Sequence, residues 1–289
     1  MDKVAGVTED RERPPLPEGL PHPVVDNHCH LDIARGTDDQ AWLPTQEAIA
    51  SAAEVGVTRI VQIGCELEGA RWAVEAAVRY DALVAGVSLH PNEAPRLAAR
   101  GELDAALEEI ERLARAHDKV RAVGETGLDN YRTGPEGKAA QVASFRWHVD
   151  LAKRLDKTLV IHDREAHDEV LAVIDEEGPP ERWVMHCFSG DADFARACLD
   201  RGAYLSFAGT VTFKNAAALR EALLVVPPDR LLVETDAPYL TPTPYRGRPN
   251  ASYLVPLTMR AMAQVRGDDL EELCASVNSA TDAAYGGAW

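Results

Sequence analysis

The stretch PVVDNHCHLD, residues 23–32, begins apolar and ends on two histidines separated by one cysteine. In an extended strand, residues two apart share a face, so His28 and His30 point together and Cys29 points away. A first strand that ends in imidazoles rather than a glycine-rich turn argues against a doubly wound, nucleotide-binding sheet. What sheet it does begin depends on the chain that follows.

The same rhythm recurs along that chain. Apolar runs occupy residues 24–30, 58–65, 82–90, 120–129, 158–163, 182–188, 203–213 and 231–238. Between them lie Ala-, Leu- and Glu-rich segments of helical period, such as LDAALEEIERLARAH and AAQVASFRWHVDLAKRL. Eight strand–helix units predict an α/β fold, a (β/α)8 TIM barrel with right-handed crossovers. The closing segments SYLVPLTMRAMAQVRG and DDLEELCASVNSATDAAYG predict two helices, the first completing the eighth unit. No linker or low-complexity tract interrupts residues 24–289, which are read as one domain. Residues 1–23, polar and Pro-rich, are read as an extension expected to be poorly ordered.

Composition limits the function. With 46% hydrophobic and 27% charged residues, the chain can form an ordinary globular core. A formal net charge of −17 excludes a broad basic surface of the kind that grips nucleic acid. A polyanionic substrate would need local positive charge, from a few Arg and Lys or from bound cations. Five cysteines without a C-x-x-C pair predict reduced thiols and a cytoplasmic protein. No apolar run reaches membrane-spanning length, and the N-terminus lacks a signal-peptide core. No membrane association and no obligate protein partner are expected.

Chemistry-bearing side chains gather at the C-terminal ends of the runs, where barrel enzymes place their active sites. After His28 and His30 come Glu125 in VGETGLD, His162 in VIHDREA, His186 in MHCFSG and Asp236 in VETDAPYLTP. A lone histidine there is usually a hydrogen-bonded structural residue, and a lone carboxylate is often a helix cap. Six such residues at equivalent ends are better explained as ligands. Four imidazoles and two carboxylates suit a pair of divalent cations, with one carboxylate able to bridge and each ion keeping an open position. His28 and His30 are read as two ligands of one metal. His22, His117, His148 and His167 lie in the extension or in helical segments and receive no role.

The motifs DNHCHLD, GETGLDNYR, IHDREA, HCFSG, ETDAPYLTP and YRGRPN occur in order between Val24 and Tyr285. Together they resemble the TatD family of metal-dependent hydrolases. The resemblance implies a (β/α)8 barrel with a two-metal site and deoxyribonuclease activity, often as a 3′-to-5′ exonuclease on DNA. It further implies that His28, His30 and Asp236 hold one metal, that His162 and His186 hold the other, and that Glu125 bridges them. Mg²⁺ or Mn²⁺ is expected in function, with Zn²⁺ an alternative as the bound ion.

Asp236 is assigned to orient and deprotonate the attacking water, with Glu125 as the second catalytic carboxylate. His90, Arg132, Arg164, Lys214, Arg246 and Arg248 are candidates for contacting substrate phosphates. The net charge favours a single-stranded or frayed 3′ end threaded into a local cationic pocket. Cys187 should point away from the site by strand alternation. Ser88, Asn92, Asn130, Asp163 and Ala251 depart from the family pattern and are expected to border the substrate cleft. Two other functions compete: an amidohydrolase-type barrel acting on another ester or amide, for example an aminoacyl-tRNA ester, and an inactive barrel serving as a binding protein.

Overall fold

Strands buried on both faces must be apolar nearly throughout, and the apolar runs become strands on that account. In the computed structural model, which describes residues 12–33 and 43–289, they form one eight-stranded parallel sheet in sequence order. The strands are β1 (Val24–Cys29), β2 (Val57–Gly64), β3 (Leu83–Val87), β4 (Val120–Asp129), β5 (Thr158–Arg164), β6 (Trp183–Met185), β7 (Tyr204–Phe207) and β8 (Leu231–Val233). Backbone bonds just past β8 close the barrel: Asp236 N–H donates to His28 O (2.9 Å) and His30 N–H to Ala237 O (2.8 Å). The run at 203–213 is only partly strand. After Phe207 it turns into a 3-10 segment, Gly209–Thr212.

Helices α1 (Thr45–Glu54), α2 (Leu67–Arg79), α3 (Glu93–Ala99), α4 (Leu103–Ala114) and α5 (Pro135–Leu155) follow the first four strands. After the remaining strands come α6 (His167–Glu177), α7 (Ala192–Leu199), α8 (Ala217–Val225), α9 (Val255–Arg266) and α10 (Leu270–Ala284). Side chains alternate between two apolar layers. Ile60, Leu83, Ile161 and Phe207 belong to the outer layer shared with the helices. Val25, Val61, Val84, Ala122, Val160, Val184 and Leu232 fill the interior.

The end of α10 stops the barrel at its lower mouth. Ala280, Ala284 and Tyr285 join the interior cluster. The Tyr285 hydroxyl donates to Asn27 O (3.2 Å), and the Thr158 hydroxyl donates to Ala284 O (2.6 Å). Burying a ring of that size contributes roughly 1.5–3 kcal/mol. With one mouth plugged, the C-terminal strand ends are left for chemistry.

The extension requires a correction. Residues 1–11 lie outside the described residues, but residues 12–23 are tied to the barrel rather than loose. The Tyr253 hydroxyl donates to Pro14 O (2.7 Å), Arg260 donates to Glu18 O and Gly19 O (2.9 and 2.8 Å), and Leu20 N–H donates to Val55 O (3.0 Å). A Pro-rich segment forms few internal bonds, so its order comes from partners far along the chain. Among the described residues, no helix is long and apolar enough to cross a membrane.

Candidate metal centre

All six residues expected as ligands reach the open mouth of the barrel. Glu125 stands at the centre, its side chain almost wholly buried. Its Oε1 lies 3.7 Å from His28 Nε2 and 3.6 Å from His30 Nε2. The other oxygen, Oε2, lies 3.1 Å from His162 Nδ1 and 2.8 Å from His186 Nε2. Asp236 Oδ1 closes the first side, 3.4 Å from His30 Nε2. One carboxylate therefore presents one oxygen to each pair of imidazoles.

The backbone of β4 makes this possible. The register with β5 shifts between Val123 and Thr126, so three steps on β4 match two on β5. Gly127, with φ +141°, allows close approach of the strands: a Cβ there would fall 2.0 Å from His162 O. No other residue type fits beside the His162 backbone. Ser88, at the end of β3, donates its hydroxyl to the Glu125 carbonyl (2.6 Å).

Each ring is held by its second nitrogen or by its neighbours. His30 Nδ1 donates to Ile63 O (3.0 Å), which leaves Nε2 as the nitrogen turned to the site. His186 Nδ1 lies 3.0 Å from Glu234 Oε1, which also accepts from Cys187 N–H (2.8 Å). His162 turns Nε2 toward Asp129 Oδ2 at 3.6 Å. His28 stacks on His186 with ring centroids 3.8 Å apart. Among the described residues, neither ring nitrogen of His28 has a hydrogen-bond partner, although the ring is fully buried. Glu234 Oε2 is likewise buried and unpaired. Leaving such groups unpaired is costly, and a bound cation would satisfy them.

The electrostatics favour a cation. Burial opposes charge on Glu125, but His186, His90 and His162 outweigh it and hold the carboxyl well below its ordinary range. Burial likewise opposes charge on His30, yet Asp236 and Glu125 push its pKa up to about 9. His186 is driven up by Glu125 and Glu234 against the same burial. Burial, then the neighbouring His186, keeps His28 on the neutral side. Protons thus balance the carboxylates until a metal ion replaces them. The donors are nitrogen and oxygen, grouped as His28–His30–Glu125, His28–His186–Glu234 and His90–Glu125–His162, a set that suits divalent ions of the Mg²⁺, Mn²⁺ or Zn²⁺ kind.

The expected substrate contacts are less uniform. His90 packs edge-on against His162 (4.6 Å) and accepts from Asn92 N–H at Nδ1, so it belongs to the centre itself. The Arg164 guanidinium lies over the Tyr131 ring (4.1 Å) and Arg246 over Phe213 (4.3 Å). Arg248 lies 5.6 Å from the centre of the Tyr245 ring. Arg132 and Lys214 are exposed on loops leaving the same strand ends.

Four of the five departures from the family pattern make internal bonds. Ser88 anchors Glu125, and Asn92 donates to Asp129 Oδ2 (3.1 Å). Asn130 donates to Glu165 O (2.9 Å), while Asp163 accepts from Ala166 N–H (3.1 Å) and pairs with His167. Ala251 lines a cleft beside His30 that Pro238, Asn250 and Tyr253 also border.

Glu234, Asp129 and Cys65 join the centre although no role was expected of them. Glu234 directly follows β8, two residues beyond the interior Leu232, and so turns toward the barrel axis. The Cys65 thiol donates to Glu125 Oε1 (3.1 Å).

Comparison with known proteins agrees with this geometry. Residues 25–286 match the family described as TatD related DNase. An uncharacterized metal-dependent hydrolase TatD of Mycobacterium tuberculosis is 44% identical over 270 residues, covering 92% of this chain and 99% of that protein. The uncharacterized metal-dependent hydrolase YcfH of Escherichia coli is 39% identical over 252 residues, covering 86% and 91%. The crystal structure of YjjV, a TatD homolog from Escherichia coli, superposes with a TM-score of 0.81 at 26% identity, covering 91% and 98%. The barrel, the clustered imidazoles and these relatives agree: the chain belongs to the TatD family of metal-dependent hydrolases.

Proposed function

We propose that this protein is a deoxyribonuclease that removes nucleotides from the 3′ end of single-stranded or frayed DNA, using two divalent ions at the centre around Glu125. The observation that carries this reading is the division of one buried carboxylate between two pairs of imidazoles, Oε1 toward His28 and His30, Oε2 toward His162 and His186. The matched family's description as TatD related DNase supports the substrate.

Bound divalent ions would polarise the phosphoryl oxygens and lower the pKa of a water molecule. The chain supplies the remainder. His28, His30 and Asp236 would hold one ion, His162 and His186 the other, with Glu125 between them. Asp236 Oδ1 would orient the water and take its proton, a role for which its held-down pKa leaves it ionised. Burial works against that charge, and His30 with the nearby imidazoles prevails. Arg164 and Arg248 would neutralise phosphates next to the scissile bond.

The −17 charge of the whole chain repels duplex away from this pocket and favours a chain end over an internal site. Five cysteines, all free among the described residues, are in keeping with a reducing, cytoplasmic location.

The test is incubation of 5′- and 3′-labelled single-stranded oligonucleotides with Mg²⁺ or Mn²⁺, beside a panel of carboxylic esters. Progressive shortening of the 5′-labelled strand, with early release of the 3′ label and loss of both in His162→Ala, is expected. Turnover of an ester with both oligonucleotides intact would overturn the substrate assignment. Equal nuclease activity in His162→Ala would overturn the site.

A further inference from the structure

Two side chains that reach Glu125 are neither imidazole nor carboxylate. Cys65 directly follows β2, two residues beyond the interior Ile63, and so faces the barrel axis. Its Sγ lies 3.1 Å from Glu125 Oε1, the oxygen that faces His28 and His30, and 3.8 Å from His30 Nδ1. Ser88 follows β3, and its hydroxyl donates to the main-chain oxygen of the same glutamate at 2.6 Å. The two are tied together: Ser88 N–H donates to Gly64 O (3.2 Å) and His90 N–H to Cys65 O (2.8 Å). Ser88 is wholly buried, and Cys65 is largely shielded from solvent.

We infer that Cys65 and Ser88 are positioning residues for Glu125, the thiol aiming one carboxylate oxygen at the His28–His30 pair while the hydroxyl fixes the backbone behind it. A carboxylate oxygen has two lone-pair directions, so Oε1 can accept from the thiol on one and face a cation on the other. His30 already commits Nδ1 to Ile63 O, so the thiol has the carboxylate as its acceptor. Without the S–H donor, the Glu125 side chain gains rotational freedom, and a metal ion must order it on binding. Without the Ser88 hydroxyl, the bulged segment of β4 loses an anchor beside the same group. Cys65 thus acts through Glu125 as a hydrogen-bond donor rather than as a thiolate ligand. This inference rests on the metal centre and not on the identity of the substrate.

Calorimetric titration of the metal-free full-length protein with Mn²⁺ tests it without any substrate. Cys65→Ala should weaken Mn²⁺ binding about tenfold, a typical loss for an outer partner of a ligand, and Ser88→Gly should weaken it in the same direction. Cys65→Ser, which keeps a donor, should recover most of the affinity. Unchanged urea midpoints would show that each variant is folded. Wild-type affinity in Cys65→Ala, or absence of Mn²⁺ binding by the wild type, would overturn the inference. So would equal weakening in Cys65→Ser together with a sulfur-to-metal charge-transfer band in the Co²⁺-loaded wild type, because the thiol would then be a ligand. Nuclease activity can be absent without altering any of these readings, so the two proposals fail separately.

Discussion

Replacing His148 with glutamine should remove a defined part of the pH dependence of stability. His148 lies on α5, wholly buried, with Nδ1 against Ser144 O (2.7 Å) and Nε2 accepting from Leu89 N–H (3.2 Å). That pairing needs a neutral ring protonated at Nδ1, because a proton on Nε2 would face the Leu89 N–H. Burial accordingly pushes its pKa down to about 4. The unfolded chain has a histidine of about 6.5, so between these values it binds more protons than the folded chain and stability falls as pH falls. Above about pH 7.5 the ring is neutral in both states and contributes almost no pH dependence. From pH 7.5 to pH 5 the loss comes to about 2 kcal/mol, approaching about 3 kcal/mol below pH 4.

Asp26 works in the opposite direction. Burial raises its pKa to about 6, so it adds stability as the pH drops through that value. The difference between wild type and His148→Gln cancels Asp26 and isolates the imidazole. Urea unfolding in the presence of chelator, at pH 7.5 and at pH 5, measures that difference. The gap between variant and wild type should move in favour of the variant by about 2 kcal/mol on acidification. A gap independent of pH would refute the neutral, buried assignment of this ring.

Two other substitutions probe the centre and its frame. Glu234→Gln removes the charge behind His186 while preserving side-chain shape, and should weaken divalent binding about tenfold in calorimetry; unchanged affinity would show that Glu234 does not tune its neighbour. Gly127→Ala would force a Cβ to 2.0 Å from His162 O and should cost more than about 3 kcal/mol or prevent accumulation of folded protein. A soluble variant with a wild-type urea midpoint would contradict the packing described for β4 and β5.

The barrel was legible because strands covered on both faces carry uninterrupted apolar runs, a pattern that depends on local composition alone. The histidine pair was legible because alternation fixes which residues share a face. Glu234 and Cys65 obeyed the same rule, two positions from Leu232 and from Ile63, but as single residues in apolar runs they did not stand out. Long-range pairing was out of reach. The Pro14 carbonyl is held by a tyrosine 239 positions away, and no local pattern records that bond. The same holds for Ser88 and Asn92, whose partners Glu125 and Asp129 lie on β4. Short polar side chains at strand ends can face substrate or brace a neighbour equally well, and only the folded register decides which.

The register also accounts for which strands needed special construction. In β5, β6 and β8, counting in twos from an interior apolar residue arrives at the site: Val160 to His162, Val184 to His186 and Leu232 to Glu234. The same count reaches Cys65 from Ile63 and Ser88 from Val84. In β1 and β4 it fails. Val25 and Ala122 are interior, yet His28 and Glu125 lie three positions further on and still face the axis. Both strands carry a register shift at that place, between Asp26 and Cys29 and between Val123 and Thr126. An extra residue in a strand rotates everything after it by one face. Without these two bulges, His28, His30 and Glu125 would point into the helical layer while the interior stayed apolar below. The bulges therefore turn an apolar barrel into one whose upper interior gathers imidazoles around a carboxylate, and removing either should abolish metal binding before it abolishes the fold.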